Sequence, residues 1–318
     1  MNIWSSIKKG TLIAVVFLLA CMLSVTQGDT VVQVRIVRMP IIVTDRENHF
    51  VTDLKQEEVQ VFEDKQELPL VGFEKEEEQS IRYVIALDTS GSFKKILPRA
   101  LKTAAQIISH NAEKDETGIV RFISSDKIEL AQDFTADKAK LIESLSHLNI
   151  AMGQSAVIDA IYVAVQKASA PTNTLARRSV VLISDGEDRN SYYKFEDLAK
   201  LLRQTRVQVF VIGMIDELDK EAGFIRTSQR DKAQKLLTNV AQESFGRVFF
   251  PRDNSELQIA AEEIANNLHT QFYIGFNPTN QKPGQHSVDV KLTRPGEKLT
   301  LVTRTRYVIE RPNEKQKP

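Results

Sequence analysis

The sequence predicts an α/β protein: a doubly wound, mostly parallel sheet flanked by helices, with a small β module drawn from its amino- and carboxy-terminal segments. Two observations carry this expectation. Between Ile81 and His269, short runs that are apolar at nearly every position alternate with amphipathic stretches of helical period, the pattern of parallel strands covered on both faces. Before Ser80 and after Leu268 the apolar period changes to two, with polar turns between the runs, as expected of strands buried on one face.

Residues 1–28 carry Lys8 and Lys9, an apolar run from Thr11 to Val25, and small or polar residues before Asp29, the layout of a secretory signal. The run is about 15 residues, short of the ~20 that cross a bilayer as a helix, so cleavage near Gly28 is expected, with an uncleaved anchor as the alternative. The single cysteine, Cys21, lies in Leu18-Leu19-Ala20-Cys21. That stretch loosely resembles a lipoprotein cleavage box, although Met22 and Leu23 are atypical of a mature lipoprotein start. An uncleaved signal or a lipidated Cys21 is the only expected route to a membrane. With ordinary cleavage the mature chain has no cysteine, which excludes disulfides. The expected location is secreted, periplasmic or cell-surface.

Residues 29–80 read as a β module. Val31, Val32, Val34 and Ile36, then Ile41 to Val43, form strands; Asp45 to Asn48 is a turn, followed by Val51 to Leu54. Glu58 to Asp64 alternates cleanly, Val71 to Phe73 comes next, and Glu74 to Glu78 reads as a solvated linker or edge. Residues 81–269 form the α/β domain. Its strands are expected at Tyr83–Asp88, Gly118–Ile123, Ser179–Ser184, Val207–Gly213 and Arg247–Phe250. Its helices are expected at Lys95–Asn111, Asp137–Leu148, Ser155–Ser169, Lys194–Gln204, Asp231–Glu243 and Asn254–Leu268, the last started by the capping pair Asp253 and Glu256. Lys127–Gln132 adds a short antiparallel edge. Residues 270–310 return to strands, Gln271–Phe276, Gln285–Leu292 and Leu299–Val308, separated by Asn277-Pro278-Thr279-Asn280 and Arg294-Pro295-Gly296-Glu297. These strands can complete one sheet with the amino-terminal ones, making 81–269 an insertion in a β module. The polar tail 311–318 is expected to be disordered.

Lys and Arg total 42, as do Asp and Glu. Such a balance leaves no electrostatic footprint for nucleic acid or an anionic membrane surface.

The run Val84 to Ser92 is a buried-type strand that ends in Asp88 and then presents Ser90 and Ser92. One charged and two neutral oxygens suit a hard divalent cation such as Mg²⁺. Val180 to Gly186 is a second apolar strand ending in a carboxylate, Asp185, and Gly153 to Asp159 opens a helix-period run. Alone, either aspartate reads as a polar strand terminus. Together, two carboxylates at one edge of a parallel sheet repel each other and are costly to desolvate without a cation or hydrogen bonds. Ser90, Ser92 and Ser155 have a simpler alternative as helix caps.

The set resembles the metal-ion-dependent adhesion site of von Willebrand factor type A domains, with their Asp-x-Ser-x-Ser loop, later threonine, and aspartate in a strand-Asp-Gly turn. The resemblance implies Asp88, Ser90, Ser92, Ser155 (where the family usually has threonine) and Asp185 as metal ligands, the second aspartate often acting through water. It implies Mg²⁺, with Mn²⁺ or Ca²⁺ as alternatives, and Gly91 as the residue that lets the loop bend tightly; Asp159, one helical turn from Ser155, is expected either to support the site without ligating, as its family counterpart does, or to face solvent. Residues 29–80 also resemble the leader region of secreted bacterial proteins related to von Willebrand factor A. Glu187 and Asp188, after the second turn, begin a helix, face water or tune the ion's charge.

The function implied is an exported, metal-dependent adhesion-type module that captures a Glu or Asp side chain of a protein partner. No small-molecule substrate or nucleic acid is expected. A structural or assembly scaffold without a functional metal is the alternative. A Mg²⁺-dependent phosphohydrolase would need a second carboxylate two residues after Asp88, where Ser90 stands, and a lysine partner. No Walker-type loop or Ser-His-Asp set occurs. His110, His147, His269 and His286 lack zinc-pair spacing, and Phe249, Phe250, Phe272 and Tyr273 read as core strand residues. The long connection Met214 to Arg230, with Asp216, Glu217, Asp219 and Glu221, is either a wall of the recognition surface or a solvated loop.

Overall fold

A computed structural model describes residues 36–47, 49–77, 79–172, 176–218 and 228–309. The expected signal 1–28 with Cys21, the strand residues Val31, Val32 and Val34, the loop residues Asp219 and Glu221, and the tail 311–318 lie outside the described residues.

The chain opens with β1 (Val37–Thr44), β2 (Val59–Glu63), β3 (Gln66–Leu68) and β4 (Leu70–Glu76). The α/β part consists of β5 (Ile81–Asp88), α1 (Leu97–Ser109), β6 (Glu116–Ser124), β7 (Lys127–Thr135), α2 (Lys138–Ser146), α3 (Val157–Ser169), β8 (Arg177–Ser184), α4 (Phe195–Thr205), β9 (Gln208–Gly213), α5 (Gln229–Ser244), β10 (Val248–Phe249) and α6 (Asn254–His269). The chain closes with β11 (Gln271–Phe276), β12 (Gly284–Ser287), β13 (Asp289–Leu292), β14 (Thr300–Thr303) and β15 (Arg306–Ile309).

The main sheet has the order β10-β9-β8-β5-β6-β7. Every pairing is parallel except that of β7, which forms an antiparallel edge on β6. Strand β5 shows why the sheet is covered on both sides. Its residues Ile81, Tyr83, Ile85 and Leu87 join one core with α1, α2 and α6, while Val84 and Ala86 join a second with α3, α4 and α5. A two-residue alternation in which both faces are apolar demands helices on each. The chain leaves β5 through α1 to β6 on one side, and reaches β8 on the other side through α2 and α3. The carboxyl end of β5 is thus a switch point, where open α/β sheets form a crevice.

The flanking strands form three smaller sheets. In the largest, β14-β1-β11-β4, all pairings are antiparallel, and β13-β2-β3 and β12-β15 complete the set. Segments before and after the α/β part therefore pair directly. Glu74 to Glu76 lie in the edge strand β4, where Arg38 bonds both Glu74 and Glu76. Two of the expected strands are divided. Gln285–Leu292 breaks at Val288 because β12 pairs with β15 while β13 pairs with β2, and Leu299–Val308 breaks because β14 pairs with β1 while β15 pairs with β12. The buried Glu63 carboxylate ties these pieces together, accepting from the Thr279 backbone N–H at 2.7 Å and from the Thr279 and Tyr307 hydroxyls. Burial alone would raise its pKa; those donors hold it below the usual range.

At the amino-terminal end of β5, opposite Asp88, Asp115 accepts from the Ile81 and Ala112 N–H groups at 3.0 and 2.6 Å, and His269 places Nε2 2.8 Å from its carboxylate. His269 Nδ1 lies 2.8 Å from the Ala265 carbonyl, so both ring nitrogens face acceptors. Burial depresses the imidazole pKa, but the Asp115 hydrogen bond and the carbonyl outweigh it and the net shift is upward. A histidine whose folded pKa is raised contributes stability that is complete below its ordinary value near 6.5 and is lost as pH climbs through the folded value. Melting temperature is therefore expected to fall with pH from about 6.5 upward, and His269→Gln is expected to flatten that slope. An unchanged slope would show that the pair is thermodynamically silent.

Candidate metal centre

Asp88 is the last residue of β5 and is fully buried, 0% exposed. The strand ends there because its Oδ1 accepts the Ser90 N–H at 2.9 Å, folding the chain back, while Thr89 bonds the Phe122 carbonyl of β6 through its N–H at 2.9 Å and its hydroxyl at 3.1 Å. A short 3-10 turn, Gly91–Lys95, leads into α1. Gly91 does not serve the expected tight bend as glycine: its φ is not positive and a Cβ there would meet nothing within 4 Å. The obligatory glycine is Gly186, at φ +77° in the turn after Asp185, where a side chain would be strained and would press on Leu237 at 2.8 Å.

Asp185 lies just beyond the end of β8, the strand parallel and adjacent to β5. Ser92 donates to its Oδ2 at 2.9 Å and the Glu187 N–H to its Oδ1 at 3.0 Å. The Ser90 and Ser92 hydroxyls lie 3.2 Å apart. Ser155 donates to Asp88 Oδ2 at 3.3 Å. The structure thus links Asp88, Ser90, Ser92, Ser155 and Asp185 in one hydrogen-bonded group. Ser90 caps no N–H with its side chain, and the N-cap of α3 is Ala156, so that helix has no serine cap.

Three further residues tie this group to its surroundings. Ser184, the last residue of β8, donates to Asp88 Oδ2 at 2.8 Å and accepts the Gly186 N–H at 3.0 Å; its place next to Asp185 is the only signal of it in the sequence. Asp188 caps α3 from a distance, accepting the Ile158 N–H at 3.2 Å and the Ser191 hydroxyl at 2.5 Å. Asp159 is buried and accepts from the Ser125 hydroxyl at 2.5 Å and from the Tyr192 and Tyr193 N–H groups at 2.8 and 2.9 Å. Glu187 pairs with Arg189 at 2.7 Å, and the Ser155 carbonyl accepts the Arg189 and Asn190 N–H groups. The loops carrying Ser155 and Asp185 are laced together.

Burial raises the Asp88 pKa despite its hydroxyl and N–H donors. Burial and the neighbouring Asp88 charge push Asp185 up to about 7. Among the described residues, neither carboxylate takes part in an ion pair. Two desolvated carboxylates joined only by neutral donors form a strong electronegative pocket, and oxygen-only donors suit a hard divalent cation.

Elsewhere among the described residues, one cluster of three potential ligands occurs, Asp45, Glu47 and His49, whose donor atoms lie within 4.8 Å of one another. It sits in an exposed or half-buried turn where Asp45 Oδ1 already accepts the Glu47 and His49 N–H groups, and the turn accounts for it. Phe272 is buried, while Phe249, Phe250 and Tyr273 are half-buried.

A family model for the von Willebrand factor type A domain matches residues 84–263, a span that holds all five grouped residues. No match is found among curated protein sequences. Among solved structures, the chain is similar to the conserved hypothetical protein BatB from Bacteroides thetaiotaomicron, with 20% identity, 58% of this chain and 98% of that chain covered, and a TM-score of 0.45. It is similar to an aerotolerance-related membrane protein from Bacteroides fragilis at 21% identity, 58% and 98% coverage and a TM-score of 0.46. It is also similar to a von Willebrand factor type A protein from Catenulispora acidiphila at 14% identity, 78% and 75% coverage and a TM-score of 0.47. With more than half of its length matched by the family model, the chain belongs to the von Willebrand factor type A domain family.

Proposed function

We propose that this chain is an exported protein-binding module that captures a Glu or Asp side chain of its partner through a divalent cation, Mg²⁺ by preference, held by Asp88, Ser90, Ser92, Ser155 and Asp185. Membership of the family supports the coarser statement that it is a protein-interaction module, and the family is in general non-enzymatic. The observation that carries the finer reading is the pair of buried carboxylates at the ends of adjacent parallel strands, bridged by hydroxyls and unpaired with any cation among the described residues. The ion, when bound, would supply a Lewis-acidic position for a carboxylate oxygen. The chain's own residues do the rest: Asp88 and Asp185 hold the ion, and the serines add oxygens that carry no charge, so it stays electron-poor enough to take one more carboxylate oxygen. The buried strand ends keep water access to one side, where Ser92 is exposed. The phosphohydrolase alternative is disfavoured because Ser90 stands where its second carboxylate is needed. Export rests on the signal-like segment 1–28, and no described helix is long and apolar enough to cross a membrane.

Calorimetric titration of the purified chain with Mn²⁺ tests this. One ion per chain, displaced by Mg²⁺ and removed by EDTA, is expected. Ser92→Ala, which deletes one neutral donor and keeps both acids, is expected to weaken uptake roughly tenfold, about 1.4 kcal/mol. No uptake at millimolar Mn²⁺ would overturn the reading and leave a metal-free scaffold.

A further inference from the structure

Met152 and Tyr192 are the two most exposed large apolar side chains among the described residues, at 87% and 78%. Singly exposed apolar residues need no explanation. These two, however, sit on the loops that carry Ser155 and lead away from Asp185, and those loops are fastened to each other beside the carboxylates. Ala151 donates its N–H to the Thr89 carbonyl at 3.0 Å, which places Met152 next to the Asp88 turn, and Asn190 bonds the Ser155 carbonyl at 3.2 Å, two residues before Tyr192.

Tyr192 is also held rigidly for so exposed a side chain. Its N–H is fixed by the buried Asp159 at 2.8 Å. Its ring meets Tyr193 edge-on, with centroids 5.3 Å apart and planes at 85°, and Tyr193 stacks on Tyr162 of α3 at 3.8 Å and 11°. An aromatic ring whose backbone is anchored by a buried acid loses little freedom when it is covered, and Tyr and Met are both enriched at the centres of protein interfaces. The thioether of Met152 adapts to varied surfaces.

We infer that Met152 and Tyr192 are the specificity-determining residues of this site, reading apolar side chains beside the captured carboxylate, so that the ligand is a protein segment in which Glu or Asp is flanked by large apolar residues. This rests on the proposed cation-dependent capture. In the same loop Glu187 is paired with Arg189, and the Asp188 carboxylate is taken up by the Ile158 N–H and the Ser191 hydroxyl, so the positions beside the acid are selected by apolar contact rather than by a second charge.

The test uses a displayed library of cyclic peptides with a fixed central glutamate, panned on the wild-type chain in Mg²⁺, and the double variant Met152→Ser, Tyr192→Ser. Both side chains are exposed, so the variant is expected to fold, and retained Mn²⁺ uptake checks this. Selected peptides are expected to carry Leu, Met, Phe or Trp next to the glutamate and to bind the double variant at least about tenfold more weakly. Recovery of acidic peptides without apolar neighbours, equal binding to the double variant, or no enriched peptide at all with Mn²⁺ uptake intact would each overturn the inference. Apolar-flanked peptides that bind equally well in EDTA would instead overturn the cation-dependent reading.

Discussion

Asp185→Asn is expected to stabilise the protein in EDTA and to destabilise it relative to wild type in Mg²⁺. In the chelated wild type, burial and the Asp88 charge raise Asp185 to about 7, against an ordinary value near 3.9. The folded state therefore binds this proton more tightly than the unfolded state. As pH rises from about 4 the unfolded chain ionises first, so folding stability falls, and the full loss is reached above about 7. A gap of about three pH units corresponds to roughly 4 kcal/mol. Asparagine carries no charge and has nearly the same shape. Its oxygen can accept the Glu187 N–H, and its amide can donate to the Ser92 hydroxyl. Allowing for imperfect replacement of those bonds, a gain of about 2–4 kcal/mol is expected at pH 8 in EDTA. In Mg²⁺ at a thousandfold excess over Kd the order reverses, because the wild type alone gains the binding free energy of the ion, about 4.1 kcal/mol. Urea unfolding of both proteins with and without Mg²⁺ measures both differences. A variant less stable than wild type under both conditions would show that the two aspartates do not repel each other as buried charges.

The second large effect is on the fold. Gly246→Ala is expected to destabilise the chain by about 3–5 kcal/mol and to yield little soluble protein. Helix α5 ends with Phe245 in the left-handed region at φ 56°, and the Gly246 N–H reaches back to the Ala241 carbonyl at 2.9 Å. A Cβ on residue 246 would lie 2.0 Å from the Val209 carbonyl oxygen and 2.6 Å from its carbon. Val209 is paired with Val180 of β8, and its N–H is held by the Ser244 hydroxyl at 3.1 Å, so neither backbone can yield. Gly91→Ala, with nothing within 4 Å, is the matched control and is expected to leave thermal unfolding nearly unchanged. Equal melting temperatures for the two variants would refute the steric account.

The two substitutions also mark the limits of what the linear chain discloses. A helix stop near Gly246 can be read from its neighbours, but the contact that forbids a side chain belongs to a strand more than thirty residues earlier. The same holds at the candidate site. Asp88 and Asp185 are conspicuous because each ends an apolar run, whereas Ser184 is hidden inside such a run and is recognised only when its hydroxyl is seen on Asp88. Asp188 and Ser191 look like ordinary loop residues, yet they close the first turn of α3 from a distance of about thirty positions. Helix capping is usually local, so a cap delivered from another loop leaves no trace in spacing.

By itself, the order of residues determined the alternation of strand and helix in the α/β part, because apolar period is set by whether one or both faces of an element are covered. It determined equally that two carboxylates would stand at strand ends. Only the tertiary structure decided that β5 and β8 lie side by side, that Val288 and Arg304 divide expected strands between different partners, and that the loop after Asp185 is fastened to the loop carrying Ser155. Strand neighbours are chosen by packing over long sequence separations, and no local pattern of side chains encodes which edge a strand will meet.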